Sequence, residues 1–258
     1  MIVQIGEIPI HIRTDNPGFQ EMLNKRYRNF ITPSNPAAIT LSVELLAEAN
    51  TQDLDLAVSG NKDLWTIQRG DFFSTYNPTL RQGNVRQTAN PWSIDALIRI
   101  IHSLELARNR GFLLHAASAI VNKRAFIFTG ASGAGKTTIS RLAPKSASLL
   151  TDEISCIRRE GEVFRAWGTP FAGELATPGD NVSAPIAALY FLRHAPENRI
   201  AELSPAEALH RLMKNILFFA EDPELVQLVF STAAEFLERT PVFRLEFKPD
   251  ASIWDLIS

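Results

Sequence analysis

The sequence predicts an α/β protein in two parts: a core of mixed β-sheet with flanking helices, and a β-rich lobe before it. Three observations lead there. Up to about residue 88, short runs alternate apolar and polar residues with period two. At Asn90-Pro91 the pattern turns helical: Asn90 suits an N-cap and Pro91 the first helical position. Beyond it, strand-like and helix-like runs surround a glycine loop, Gly130-Ala131-Ser132-Gly133-Ala134-Gly135-Lys136-Thr137. The expected division is a lobe over residues 1–88 and a core over 89–258.

In the lobe, Ile8, Ile10 and Ile12 alternate with Pro9 and His11, and Ile39 to Leu45 and Leu54 to Val58 repeat the pattern. A helix is expected near residues 18–29. Residues 64–67 and 71–76 add two strands around Arg69-Gly70. His11 and His102 read as structural or solvated histidines. Trp92, Ile94, Leu97, Ile98, Ile101 and Leu104 then recur at helical spacing, up to a helix end at Gly111. Phe112 to Val121 and Ala125 to Thr129 read as antiparallel neighbours around the turn at residues 122–124. That pairing carries His115 into the vicinity of the glycine loop. A short strand over 146–151 ends at Asp152-Glu153, and 154–158 with 163–167 form a hairpin. Residues 185–192 read as a central strand and 200–203 as an edge strand. Ser204-Pro205-Ala206-Glu207 opens a helix with Ala208, Leu212, Ile216 and Phe219 on one face and His210 on the other. A second helix, capped by Asp222-Pro223, reaches about Arg239. Residues 241–247 form a last strand, and a terminal helix carries Ile253, Trp254 and Ile257.

Composition narrows the function. The chain has 258 residues, 45% of them hydrophobic, enough for a proper core. Lys and Arg number 26 against 28 Asp and Glu, so no basic excess points to nucleic acid. The single cysteine, Cys156, excludes a disulfide within the chain and reads as a small buried hydrophobe. No stretch is long and apolar enough to span a bilayer, and no signal-peptide pattern opens the chain, so a soluble cytoplasmic protein is expected.

The glycine loop carries the chemistry. It matches the complete G-x-x-x-x-G-K-[ST] phosphate-binding pattern, with an apolar strand before it and a helix-forming run, Thr137 to Ala143, after it. Gly130, Gly133 and Gly135 let successive backbone N–H groups turn toward phosphate oxygens, and the helix adds its positive end. Ala131, Ser132, Ala134 and Thr138 complete the expected ATP-binding set. Lys136 supplies a cation to the terminal phosphates, and Thr137 a hydroxyl to the bridging Mg2+. The acidic partner for that ion arrives 16 residues after Lys136, at Asp152-Glu153. The interval fits one short helix and an immediate return strand, which places both acids beside the phosphates. Glu174, after Gly173, is a further candidate for the metal side.

Leu114-His115-Ala116-Ala117, Thr129 to Thr138 and Leu150-Thr151-Asp152-Glu153, with Gly168-Thr169-Pro170-Phe171 more loosely, resemble the HPr serine kinase/phosphorylase family and its HPr-kinase-like relatives. The resemblance covers about residues 90 to 240. It implies a P-loop kinase core of the kind related to phosphoenolpyruvate carboxykinase, with ATP and Mg2+ as cofactors. It also implies Asp152 as the base, Glu153 as the metal-side acid and His115 close to the transferred phosphate. The two acids can exchange roles, since a carboxylate on the metal is a poor base. The family's second acid is aspartate where this chain has Glu153, and its Arg-Gly-rich phosphorolysis signature has no match here. The expected activity is therefore transfer of the γ-phosphoryl group to a hydroxyl acceptor other than HPr: a serine of a small protein or peptide, or a small molecule. A homo-oligomer is left open. Two other readings also stay open. One is a nucleotide-dependent binding or switch module with little turnover. The other is a plain NTPase, because Leu149-Leu150-Thr151-Asp152-Glu153 also resembles the acidic strand end of ATPases.

Overall fold

The computed structural model describes residues 1–33, 38–48 and 55–257. The chain divides into two compact units, Met1–Glu105 with Phe218–Val226, and Leu106–Leu217 with Gln227–Ser258. Each holds one large mixed sheet and few helices, a mixed α/β arrangement.

The first unit contains β1 (Ile2–Ile5), β2 (Ile8–Arg13), α1 (Pro17–Arg26), β3 (Ile31–Thr32), β4 (Ile39–Leu46), β5 (Ala57–Gly60), β6 (Trp65–Arg69), β7 (Phe72–Asn77) and β8 (Gln82–Thr88). Helix α2 (Pro91–Arg108) carries the chain onward. The strand order is β3-β1-β2-β4-β8-β7-β6-β5, with β2–β4 and β4–β8 parallel. The alternation in β4 has its cause here: Ile39, Leu41 and Val43 are buried while Ser42 and Glu44 face out. Leu54, expected to open the next strand, lies outside the described residues. Strands β1 and β8 were not anticipated. Strand β8, QGNVRQT, has one large apolar residue and takes its place by pairing between β4 and β7. Asn16 caps α1, its Oδ1 accepting the Phe19 N–H at 2.9 Å. Buried Asp95 on α2 is satisfied by the Arg26 guanidinium and the Tyr27 hydroxyl.

His102 is fully buried, with Nδ1 3.2 Å from the Ile98 carbonyl and Nε2 3.2 Å from that of Ile5. Burial lowers its pKa from 6.5 to about 4. Between those values the unfolded chain binds a proton that the folded one refuses. Stability therefore rises with pH through this window and is lost as pH falls from 6.5 toward 4, by roughly 3 kcal/mol. Urea unfolding at pH 7 and pH 4 should show this loss in the wild type and a smaller one in His102→Gln. Equal losses in the two proteins would remove His102 as the cause.

The second unit begins with β9 (Gly111–Val121) and β10 (Arg124–Thr129), then α3 (Lys136–Arg141), β11 (Ser148–Thr151), β12 (Ile154–Glu160) and β13 (Val163–Trp167). It continues with β14 (Ser183–His194), β15 (Arg199–Glu202), α4 (Pro205–Met213), β16 (Ile216–Leu217), α5 (Pro223–Arg239), β17 (Val242–Phe247) and α6 (Ile253–Ile257). β9 and β10 form the expected hairpin, turning at Asn122 and Lys123 with φ of 50° and 63°, as a two-residue turn of this hand requires. Pairings run β10–β9–β12–β13–β14 and return by a parallel β14–β10 ladder, so these strands close a ring. β17 lies parallel to β14, and β15 is an edge strand, as expected.

Side chains alternate between two apolar clusters. One holds Phe112, Leu114, Ile127, Leu189 and Phe191, closed by Phe236, which meets Phe112 and Phe164 edge-on at 5.6 and 5.2 Å. The other holds Ala117, Ala119, Phe126, Phe128 and Ile139 of α3 beneath Trp254. The Trp254 indole N–H donates to the Ile139 carbonyl at 3.2 Å, so the terminal helix pins the helix that follows the glycine loop. Cys156 is buried, and burial pushes its thiol up to about 12, in keeping with a packing role.

One helix is shorter than expected. The run through Ile216 and Phe219 reads as helix, but α4 ends at Met213 and Ile216–Leu217 pair with Leu114 and Leu113 of β9. Asn215 makes the turn: its N–H reaches the Leu212 carbonyl, its side chain donates to the Arg211 carbonyl at 2.8 Å, and its own carbonyl takes the His115 N–H at 2.8 Å. The sheet ladder wins over helical periodicity there. Among the described residues, no helix is long and apolar enough to cross a membrane.

Candidate functional site

Strand β9 organises the site because its eleven residues carry two partners on each edge. On one edge, β10 pairs with Ala116–Val121 and β16 with Leu113–Leu114. On the other, β11 pairs with Ser118–Ile120 and β12 with Gly111–His115. Both edges break at the same level, opposite His115 and Ala116. On the first edge the break runs from Thr129, the last residue before the glycine loop, to Asn215. On the second it is Asp152-Glu153. The Ala116 N–H donates to the Glu153 carbonyl at 2.9 Å, and Thr129 is the partner of Ala116 on the other side. The loop and the acid pair thus lie at one level of the sheet, midway along β9, about 10 Å apart across one intervening strand. The acids were expected on a strand next to β10. Both edges of β10 are taken, by β9 and by β14, so β11 pairs on the other edge of β9.

The glycine loop joins β10 to α3. Gly135 has φ of 101°, and a Cβ on it would stand 2.5 Å from the Phe247 ring, so both backbone and space demand glycine. His194, at the end of β14, stacks on Phe247 at 5.4 Å and places Nε2 2.9 Å from the Gly133 carbonyl. Since the carbonyl only accepts, that nitrogen carries the proton. The Lys136 ammonium donates to the loop's own Gly130 and Ala131 carbonyls at 3.0 and 3.3 Å. Burial lowers its pKa, and the charge of Glu174 acts in the opposite direction. Ser132 is exposed at the loop tip, Ala134 is half-buried, and Thr137 and Thr138 stand in the first turn of α3, both half-buried.

Asp152 is 3% exposed. Its Oδ1 accepts the Gly173 N–H and its Oδ2 the Leu175 N–H, both at 2.8 Å. The carboxylate therefore holds a turn whose middle residue is Glu174, and Glu174 is the acid whose charge reaches Lys136. Glu153 is half-buried, with its N–H on the Thr151 hydroxyl at 3.1 Å. His115 is half-buried, and its carbonyl accepts the Thr129 hydroxyl at 2.8 Å. Among the described residues, no group of three or more His, Cys, Asp or Glu side chains stands close enough to hold a metal ion.

Two features escaped the sequence reading. His194 had a usable signal, a histidine ending the strand that runs parallel to β10. The backbone donors of Gly173 and Leu175 had none, because a main-chain N–H leaves no trace in residue type. A hollow of about 1050 Å³ lies in the first unit over the outward face of β2, β4 and β8, where Arg86 and Glu44 pair. Neither the glycine loop nor the Asp152-Glu153 pair lines it.

A family model described as SynChlorMet cassette protein ScmC matches residues 85–258, well over half of the chain. The chain belongs to the ScmC family. The ScmC match begins within β8 and takes in the whole second sheet, the glycine loop and the acid pair. No curated protein matches the sequence. Among solved structures, the Hpr(Ser) kinase/phosphatase from Coxiella burnetii overlaps 46% of this ScmC-family chain and 87% of its own, at 11% identity and a TM-score of 0.25. So loose an overlap carries neither fold nor chemistry across.

Proposed function

We propose that the chain is an ATP-dependent phosphotransferase of the HPr-kinase-like type, moving the γ-phosphoryl group of ATP to a hydroxyl acceptor. The observation that carries this reading is the double break around His115 and Ala116. A G-x-x-x-x-G-K-T loop on one edge of β9 and an acid pair on the other end at one level of the sheet. Phosphoryl transfer is mainly positioning and charge balance, and these are the groups it requires.

In this reading Lys136 leaves the Gly130 and Ala131 carbonyls to meet the terminal phosphates. His194 and Phe247 hold the far side of the loop in shape. Mg2+, when bound, neutralises charge on the phosphate oxygens; Thr137 with Glu153 and Glu174 would hold it. Asp152 anchors the Gly173–Leu175 turn. Each of its oxygens retains a lone pair beyond the N–H it accepts, so the carboxylate can also take the acceptor's proton.

ADP release, followed with and without acceptor pools, tests the proposal. Release that rises with a hydroxyl acceptor and vanishes on chelating magnesium is expected. Equal release in water alone would favour a plain NTPase, and nucleotide binding without release a switch module. Glu153→Gln and Glu174→Gln should each raise the magnesium concentration that gives half-maximal release. Unchanged magnesium dependence in both would take the two acids away from the metal.

A further inference from the structure

We infer that the hollow beside Gly130 and Ala131 is the acceptor site, and that it takes a small hydroxy acid with its carboxylate on Arg211 and Lys214 and its hydroxyl toward the loop. The inference rests on the phosphotransferase reading and adds the chemical class of the acceptor.

The hollow measures about 550 Å³, within the range of small-molecule sites. Gly130 and Ala131 line it from the glycine loop, Arg211, Lys214 and Asn215 from α4 and the turn after it, and Phe191 from β14. Its place in the sheet follows from the pairings. Gly130 follows Thr129, the partner of Ala116, and Asn215 accepts the His115 N–H. The hollow therefore fills the break on the loop edge of β9, at the row of His115. The two carbonyls that hold the Lys136 ammonium belong to the residues that line it from the loop. A ligand seated there stands next to the group that would carry the phosphates.

Its α4 side is cationic. Arg211 and Lys214 stand against one acid, Glu207, with His210 beside them. The Arg211 guanidinium lies 6.0 Å from the centre of the Phe191 ring. Its Nε and Nη2 already engage a carboxylate, Glu207 Oε1, at 3.0 and 2.8 Å. A ligand carboxylate would meet the remaining Nη1 edge of the same planar guanidinium, which suits carboxylates better than a point charge does. The glycine loop supplies the phosphate-binding N–H groups, so a second phosphate site is not what this side adds. Asn215, tied to the Arg211 carbonyl, joins the cationic turn of α4 directly to the His115 row.

The test is calorimetric titration of the full chain with glycerate, L-lactate and L-serine, each against its neutral amide. At least one acid should bind in the millimolar range or tighter, and its amide roughly tenfold or more weaker. Arg211→Gln and Lys214→Gln should each weaken the acid by roughly tenfold or more and leave Mg-ATP titration as in the wild type. Lys214 is exposed, so its variant serves even if Arg211→Gln fails to fold. Absence of binding by all three acids, equal binding of acid and amide, or wild-type binding in Lys214→Gln would overturn the inference and leave the cations as balance for the C-terminal end of α4. Acid binding without Mg-ATP binding would sink the phosphotransferase reading, and with it the acceptor role, and leave the hollow a carboxylate site. Mg-ATP binding without acid binding would sink this inference alone.

Discussion

Asp152→Asn is expected to lower acceptor-dependent ADP release by about 10²–10⁴. Two routes lead to that loss, and the geometry separates them. As a proton acceptor, Asp152 is removed outright by the amide. As an anchor, it is damaged more subtly. Both its oxygens accept backbone N–H groups, and an asparagine must turn its NH₂ toward one of them. A buried donor then faces a donor, a penalty of about 1–3 kcal/mol, and the turn carrying Glu174 loosens. Amide hydrogen exchange at Gly173 and Leu175 reads the anchor, and the pH profile of release reads the base. Loss of the acidic limb of that profile with unchanged exchange makes Asp152 the base. Faster exchange, with Glu174→Gln reproducing the loss of activity, makes it a positioning residue. Full activity in Asp152→Asn would remove the acid pair from the chemistry.

Gly179→Ala is expected to have the largest effect on stability. The segment between β13 and β14 returns along β11: the Thr169 N–H reaches the Leu150 carbonyl at 3.0 Å, and the Asp180 N–H the Leu149 carbonyl at 2.8 Å. A Cβ on Gly179 would stand 1.7 Å from the Leu150 carbonyl oxygen. That neighbour is backbone in a paired strand, so no side chain can swing aside. The chain must give up the approach, and with it the bonds that hold the segment against the acid pair. A cost of about 3 kcal/mol or more follows, lowering Tm by roughly 6–12 °C. Thermal unfolding of the two proteins measures it, and a Tm equal to that of the wild type would show that the segment does not pack as described. The loss should reach magnesium-dependent ADP release as well, since Glu174 rides on the same segment.

Local signals in the sequence carried much of this arrangement. The turn at Asn122-Lys123 predicted the β9–β10 hairpin, and the caps at Asn90, Ser204 and Asp222 marked helix starts that α2, α4 and α5 adopt. The glycine loop was legible because its spacing states its own geometry. What the sequence withheld depends on long-range pairing. Strand β9 is long enough to take partners on both edges twice, so β11 landed beyond it and not beside β10. The same ladder drew Ile216 and Leu217 out of a helical pattern. The anchoring of Asp152 depends on main-chain donors 21 and 23 positions away, and residue identity does not report those. The cationic side of the hollow was hidden for a related reason. Arg211 and Lys214 look like the solvated face of an ordinary helix until the fold sets them against Gly130 and Ala131.

We propose that the glycine loop binds Mg-ATP through Lys136. Equilibrium titration of Mg-ATP into the wild type and Lys136→Ala tests it without reference to any acceptor. Saturable, magnesium-dependent binding by the wild type is expected, with affinity at least tenfold lower in the variant, about 1.4 kcal/mol or more, and the fold intact by circular dichroism. Equal affinity in the two proteins, or no binding by the wild type at millimolar Mg-ATP, would contradict it.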